Sequence, residues 1–318
     1  MTSKRDRFLT VARGGTADRP PVGAWVHYGS ATWSPEEVAE AHLRFYRDYD
    51  WDYIKVMHDY RIDLLAGLTE ITDPSQLDGV LVNPGPLLAS HARQHEVLRL
   101  IRAATPEAAI IETVFSPTQA LVRALGGSVI EFFKADAALA HRTISRVADV
   151  LARYAAGVAD LGVDALFFAV NGASTDATSF GLSPDQFRDW VAPYDKQVLA
   201  AAPALVRIAH LHGVGANPEL IDDYPVEVLS WSDLVSEPAI ADAWGRYGWV
   251  PMVGLDEINS LYWTPTQVAE AVAVARRETR DAVIVAPNCT LHSDTNPHTL
   301  VGLRRSVDIP LEASGGPQ

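Results

Sequence analysis

The segment Ala165-Leu-Phe-Phe-Ala-Val170 decides the fold class of this chain. It is a short, unbroken apolar run, which is typical of a strand that is buried on both faces of a sheet. Residues 183–202 follow with helical spacing, and a second apolar run, Leu205-Val-Arg-Ile-Ala-His210, comes after them. Two strands joined by a helix indicate parallel pairing with a right-handed crossover.

The same unit recurs along the whole chain. Strand-like runs are predicted at residues 22–26, 53–57, 109–114, 165–170, 205–210, 226–230, 250–254 and 282–286. Helices are predicted at residues 5–13, 34–49, 91–104, 118–125, 136–161, 183–202, 237–247, 264–277 and 299–307. The second helix has the clearest start, because Ser34-Pro35-Glu36-Glu37 supplies a capping serine, a proline at the first position and acids in the first turn.

Eight strands that alternate with helices fit either a (β/α)8 barrel or an open doubly wound sheet. The open sheet usually carries a glycine-rich phosphate turn after its first strand, and the sequence has none there. We therefore predict an α/β fold of the (β/α)8 TIM-barrel type, with a single domain over residues 1–311 and a flexible tail over residues 312–318.

Composition narrows the function. The formal net charge is −14 over 318 residues, and the basic residues form no cluster, so nucleic acid and anionic lipid are poor partners. The sequence has no apolar run long enough for a membrane span and no signal-peptide pattern at its charged N-terminal segment, so we expect a cytoplasmic protein that acts on a small molecule. Cys289 has no second cysteine to pair with, so it is a small buried residue, a nucleophile or a metal ligand.

In a (β/α)8 barrel, chemistry takes place at the carboxyl ends of the strands, so polar residues directly after each apolar run are candidates. His210 and His212 follow the fifth predicted strand, and residues i and i+2 of an extended segment point to the same face. Cys289 follows the last strand. Two imidazoles and a thiolate suit Zn²⁺ and leave one coordination position open, as in catalytic zinc sites. Alone, either signal is weak: a His-x-His strand more often packs, and a lone cysteine is more often structural.

Other strand-end residues are open to two readings. Asp59 could act as a general base, anchor a substrate or cap the following helix, while Asn171 and Ser174 could bind a ligand or form a turn. Four further residues are candidate substrate contacts, although each could equally be structural; they are Trp25, Tyr28, His58 and Asp233.

The chain resembles the uroporphyrinogen decarboxylase superfamily over nearly its whole length. This superfamily has a (β/α)8 barrel and includes uroporphyrinogen decarboxylases and cobalamin-linked methyltransferases that act on thiols. The likeness rests on ordered segments, namely Arg7-Phe-Leu with Asp18-Arg-Pro-Pro-Val22, Asp52-Tyr-Ile-Lys-Val-Met-His-Asp59, Gly162-Val-Asp-Ala-Leu166 with Gly172-Ala-Ser174, Ser183-Pro with Pro193-Tyr194, Ile208-Ala-His-Leu-His-Gly213, and Asn288-Cys with Asp294-Thr and Pro297.

The resemblance implies two activities. The methyltransferases carry His-x-Cys and a later Cys that bind zinc, and the corresponding positions here are His210, His212 and Cys289, so one cysteine is replaced by histidine. The decarboxylases carry an arginine-rich segment after the first strand and a catalytic aspartate; residues 23–30 contain no arginine here, but Asp59 matches the aspartate in its spacing from Asp52. The first hypothesis is a zinc-dependent methyl- or group-transfer enzyme whose methyl donor is a methylcorrinoid on a partner protein. The second is a metal-independent carboxy-lyase that uses Asp59, and the third is a non-catalytic binding barrel. The sequence does not reveal the oligomeric state.

Overall fold

The structure is a computed structural model, which describes residues 2–60, 62–64, 68–79, 88–173 and 180–311. Its centre is a curled, seven-stranded parallel sheet with the strands in chain order. The strands are β1 Tyr53–Val56, β2 Ala109–Phe115, β3 Ala165–Val170, β4 Val206–Leu211, β5 Val228–Trp231, β6 Val250–Leu255 and β7 Ile284–Pro287. Seven of the eight predicted strands are therefore present, with bounds close to those expected.

The first predicted strand, residues 22–26, is not a regular strand. Val22 and Val26 form isolated parallel bridges to Val285 and Leu291. On its other side the segment accepts a hydrogen bond at the Val22 oxygen from the Asp52 backbone N–H, at 2.8 Å. Prolines precede this segment and cannot donate to a ladder, which limits regular pairing at its start. The segment is thus hydrogen-bonded to β7 and to the chain entering β1.

An α-helix lies in each connection between consecutive strands except that between β4 and β5, where the described residues form only a 3₁₀ turn. The α-helices are α1 Lys4–Ala12, α2 Pro35–Tyr49, α3 Ala89–Ala104, α4 Pro117–Leu125, α5 Ser128–Ala135, α6 Ala137–Ala159, α7 Pro184–Trp190, α8 Ala192–Ala200, α9 Ile240–Gly245, α10 Pro265–Thr279 and α11 Pro297–Ser306. Short 3₁₀ turns occur at Pro74–Gly79, Pro218–Leu220 and Asn259–Tyr262. None of the helices in the described residues is both long and apolar enough to span a membrane.

Two helical features differ from the sequence prediction. Residues 183–202 were expected to form one helix, but they form α7 and α8, which meet at Val191 just before Pro193. A proline cannot donate its backbone nitrogen and clashes with the preceding turn, which explains the break. The helix α5 was not predicted. The predicted tail, residues 312–318, lies outside the described residues.

The sheet separates two apolar layers. Its inner face is packed with the side chains of alternate strand residues, among them Tyr53, Ile111, Phe167 and Ile208. The residues between them face the helices and form the larger, outer core. This alternation places His210, within β4, and His212, directly after it, on the same face as Ile208.

Candidate metal centre and its cavity

His210, His212 and Cys289 come together at the carboxyl ends of β4 and β7. Their ligand atoms all lie within 4.8 Å of one another, and the described residues contain no other such group of three potential ligands. The Cys289 Sγ is 3.6 Å from His210 Nε2 and 3.6 Å from His212 Nδ1. A zinc ion bound tetrahedrally at ~2.3 Å from sulfur and ~2.1 Å from nitrogen sets those two atoms about 3.6 Å apart. The spacing of sulfur to both nitrogens therefore fits this ion.

Neighbouring groups orient the first histidine. His210 pairs in register with Ser230 of β5, and its Nδ1 lies 3.1 Å from the Ser230 Oγ. Its ring also stacks on Phe167, with 4.8 Å between the ring centres. When Nδ1–H donates to the serine oxygen, Nε2 is left with a lone pair that faces Cys289. Such an outer hydrogen bond fixes the tautomer that a metal-binding histidine requires.

The protonation of the group also suits metal binding. Burial raises the pKa of the Cys289 thiol, but His210 and the Thr290 backbone N–H favour the thiolate, and the net effect lowers that pKa. Burial lowers the pKa of His212, against a smaller opposing effect of Glu257. Thiolate and neutral imidazole are the forms that coordinate metals.

The three residues line one wall of a cavity of about 330 Å³ at the mouth of the sheet. Aromatic and apolar side chains form much of the rest of the wall, and they are Trp25, Met57, Phe115, Phe167 and Ala169. Polar and basic side chains complete it, and they are His27, Lys55, His58, Thr113, Gln119, Arg123, Asn171 and Thr290. An apolar pocket with a few convergent polar groups is the usual form of a small-molecule site.

Lys55 is an unexpected feature of this wall. It is only 4% exposed, and its Nζ donates to the Thr113 Oγ1 at 3.1 Å. The ammonium lies over the rings of Phe167 and Trp25, at 4.2 and 5.0 Å from their centres. No carboxylate in the described part of the chain lies within ion-pair distance of it. Burial lowers the pKa of Lys55 to about 7, although the negative charges of Cys289 and other groups oppose this shift.

Some of the other predicted site residues line the cavity and others do not. Trp25, His58 and Asn171 line the cavity. Tyr28 instead packs its ring against His42, at 4.7 Å between centres. Asp233 accepts a 2.7 Å hydrogen bond from the Asn288 side chain and lines a separate, open hollow rather than this cavity. Ser174 lies outside the described residues.

Asp59 holds the chain that follows the first predicted strand. It accepts hydrogen bonds from the His27 ring at 2.5 Å, from the backbone N–H groups of Tyr28 and Ser30, and from the Ser30 hydroxyl. Although burial opposes it, these donors lower the pKa of Asp59 well below its usual range. Asp59 is not among the residues that line the cavity. Its carboxylate therefore acts as a local anchor in this structure.

Sequence reasoning missed two buried charges, Lys55 and Glu112. Each lies inside a strand rather than at its end, in Tyr53-Ile-Lys-Val56 and Ala109-Ile-Ile-Glu112. The Glu112 side chain is wholly buried on the helix-facing side of β2 and accepts a hydrogen bond from His58. A single charge within an otherwise apolar strand was the available signal, because such a charge is costly unless function or a partner retains it.

Comparisons with known proteins agree with this architecture. The family model described as uroporphyrinogen decarboxylase (URO-D) matches residues 69–308. A uroporphyrinogen decarboxylase from Synechococcus sp. (strain JA-3-3Ab) is 24% identical over 298 residues, covering 78% of this chain and 77% of that protein. A second, from Synechococcus sp. (strain JA-2-3B'a(2-13)), is 24% identical over 303 residues, with 78% and 81% covered.

Solved structures share the fold. A methyltransferase from Methanosarcina mazei superposes with a TM-score of 0.78 at 16% identity, covering 97% of this chain and 99% of the other. A B12-independent methionine synthase from Shewanella sp. W3-18-1 gives a TM-score of 0.57 at 14% identity, with 86% and 85% covered. At these identities the likeness concerns the fold alone.

Proposed function

The chain belongs to the uroporphyrinogen decarboxylase family, and from that premise we propose that it is a zinc-dependent enzyme that transfers a methyl or other group to a thiol or hydroxyl acceptor. One observation carries this proposal: the Cys289 sulfur lies 3.6 Å from a nitrogen of each of His210 and His212, at the wall of a cavity. Another divalent transition metal is the alternative to zinc for the same donor set.

The donor set leaves room for a reactant. Three protein ligands occupy three tetrahedral positions, and the fourth would face the cavity. A bound zinc ion would lower the pKa of an acceptor thiol or hydroxyl and so favour the anion that attacks the methyl donor. His210 and His212 are neutral ligands, so this site is less negative than one with two cysteines. A less negative site binds an anionic acceptor more readily. It also pushes less electron density onto the acceptor's sulfur, so it activates that sulfur less.

The remaining wall would bind and orient the acceptor. Trp25 and Phe167 would exclude water from its apolar part, and Asn171 would hydrogen-bond its polar part. Lys55 and Arg123 are basic groups of the same wall, so they would favour an acceptor with a small anionic group. The cavity of about 330 Å³ has the size of a small-molecule pocket, which suits a small acceptor.

We also infer that residues 21–26 occupy the place of the eighth strand, which would complete a (β/α)8 barrel of one domain. Their hydrogen bonds to both β7 and the chain before β1 support this. The methyl donor would be a methylcorrinoid on a partner protein. A small-molecule acceptor and a corrinoid protein are thus the expected partners.

A carboxy-lyase is the second candidate, because the matching family model and both Synechococcus relatives carry the name uroporphyrinogen decarboxylase. In that reaction Asp59 would stabilise a protonated intermediate without a metal. Its carboxylate is instead engaged by His27 and Ser30 and does not line the cavity, which favours the transferase.

Metal analysis of the purified protein tests the proposal. We expect about one equivalent of zinc in the wild type and its loss in Cys289→Ser and His210→Ala. His298→Ala is the matched control, because His298 is exposed on α11 and should leave the zinc content unchanged. A metal-free wild type that decarboxylates a porphyrinogen would refute the transferase and support the carboxy-lyase. Unimpaired function in the cell after loss of both Asp59 and Cys289 would support a binding role only.

A further inference from the structure

A buried polar cluster adjoins the cavity at His58. Its centre is Glu112, whose side chain is fully buried. The carboxylate accepts hydrogen bonds from the Tyr154 hydroxyl at 2.6 Å and from the Gln94 amide nitrogen at 3.0 Å. The third partner is His58 Nε2, at 2.5 Å, and the His58 side chain is only 2% exposed. Strand β2 and the helices α3 and α6 thus hold one carboxylate in a fixed orientation.

This arrangement assigns the tautomer of His58. Burial and the nearby Glu112 raise the pKa of Tyr154 well above its usual value, so its hydroxyl stays protonated and donates a hydrogen bond to the carboxylate. An ionised carboxylate only accepts hydrogen bonds, so the His58 nitrogen that faces it must be the donor. When the His58 imidazole is neutral, its proton is therefore on Nε2. Its lone pair is on Nδ1.

The Nδ1 atom of His58 is the nitrogen of this ring that does not face Glu112. It is buried and has no hydrogen-bond partner within the described part of the chain. His58 is also among the residues that line the cavity, together with Cys289 and His210. A buried nitrogen without a partner costs free energy, so its retention beside a cavity indicates that a bound molecule supplies the missing partner.

Among the groups packed around His58, none competes with it as an acceptor for a proton from the cavity. Tyr60 stacks on its ring at 4.9 Å, and burial raises the pKa of Tyr60 well above its usual value, so that phenol is neutral. Burial and the neighbouring histidines His58 and His95 lower the pKa of His91 to about 3, so His91 is neutral as well. Glu112 is the anion in direct contact with the ring, and it would stabilise an imidazolium at His58.

We propose that His58 is the catalytic base of this cavity and that Glu112 is its positioning residue. The inference rests on the proposed group transfer to a thiol or hydroxyl. As the acceptor binds, its S–H or O–H bond breaks, the electron pair stays on the acceptor atom, and the proton passes to His58 Nδ1. The product is an imidazolium paired with the Glu112 carboxylate, and no oxidant or reductant is required. The dyad thus follows the arrangement in which a carboxylate orients a histidine base.

Proton counting tests this role without knowledge of the natural substrate. The zinc-loaded protein is titrated with 3-mercaptopropionate at pH 7.5 in two buffers of different ionisation enthalpy, and the calorimetric difference gives the protons released per thiol bound. Binding of a thiol as its anion frees about one proton. The wild type should release close to none to the buffer, whereas His58→Gln should release about one, because the amide keeps a donor for Glu112 but is not a base.

Two further variants keep the test decisive. Glu112→Gln keeps the side-chain shape and removes the charge that stabilises the imidazolium, so it should also shift the proton to the buffer. His292→Gln is the matched control, since His292 is exposed, and its proton count should equal that of the wild type. If the wild type and both cluster variants bind the thiol and release the same number of protons, His58 is not the base. The proposed function would be unaffected by that result. Failure of every variant, wild type included, to bind the thiol would overturn the proposed function and this role with it.

The tautomer gives a second readout on the metal-free protein. Nitrogen-15 NMR of the histidine side chains should show His58 protonated at Nε2 and bare at Nδ1, and Glu112→Gln should disturb that preference. A His58 ring protonated at Nδ1 in the wild type would refute the assignment.

Discussion

Replacing Lys55 by methionine should stabilise the metal-free protein. Methionine is similar in length and can lie between the Trp25 and Phe167 rings without a charge. Burial lowers the pKa of Lys55 from 10.5 to about 7. This difference, 3.5 units at about 1.4 kcal/mol each, sets a ceiling of about 5 kcal/mol on the cost of the buried lysine near neutral pH.

Favourable contacts reduce the net gain. The ammonium over two aromatic rings is stabilised by about 1–2 kcal/mol, and its hydrogen bond to Thr113 contributes about 1 kcal/mol. Both are lost in Lys55→Met, so we expect the variant to be more stable by about 1–3 kcal/mol at pH 7. We also expect weaker binding of an anionic acceptor, because the cavity would lose a cation.

The dependence on pH has a defined sign. Folding lowers the pKa of Lys55 from 10.5 to about 7. Above pH 10.5 this lysine is neutral in both states and does not destabilise the fold. As the pH falls from 10.5 towards about 7, the unfolded chain binds the proton and the folded protein loses stability. The advantage of Lys55→Met should therefore grow as the pH is lowered from 10 to 7. Urea unfolding of the metal-free protein at both pH values measures it, with Lys196→Met, on an outer helix, as the control. If Lys55→Met is less stable than the wild type, or if its gain in stability does not change with pH, the buried lysine does not destabilise the fold.

Three other substitutions probe separate parts of the structure. Burial raises the pKa of Asp195 from 3.8 to about 7, so the stabilising effect of this residue is present below pH 3.8 and is lost as the pH rises to about 7. The free energy of unfolding of Asp195→Asn, measured with urea, should therefore exceed that of the wild type by up to about 4 kcal/mol at pH 8. A difference that does not change with pH would contradict this. A Cβ at Gly23 would lie 2.6 Å from the Tyr53 ring, so Gly23→Ala should lower stability by about 1–3 kcal/mol in the same assay, where an unchanged midpoint would exclude the clash. Asp59→Asn should keep its zinc, as measured by elemental analysis, because Asp59 anchors Ser30 and does not line the metal cavity; loss of the zinc would place Asp59 in the site.

The sequence predicted the parts of the site that obey simple periodicity. The i, i+2 spacing of His210 and His212 put both rings on one face, and the position of Cys289 after the last strand put its sulfur at the same rim. The structure brings these atoms together. Their distances, and the serine that orients His210, depend on the register between β4 and β5, which a single sequence does not specify.

Other features could not be read from local pattern. Lys55 and Glu112 were hidden inside apolar strands, and their partners come from segments 58 and 42 residues away, Thr113 and Tyr154. The position of Asp59 after a strand left its role open between a base, a substrate anchor and a helix cap; its hydrogen-bond donors come from residues 27–30, which precede α2 in the sequence. Long-range contacts of this kind are decided by the packing of whole elements.

X-ray absorption by the zinc-loaded protein is the most direct test of the central claim. We expect one sulfur at about 2.3 Å and two imidazole nitrogens at about 2.0–2.1 Å from the metal, with a light atom in the fourth position. Cys289→Ser should remove the sulfur signal. A zinc environment of oxygen and nitrogen alone in the wild type would show that Cys289 is not a ligand.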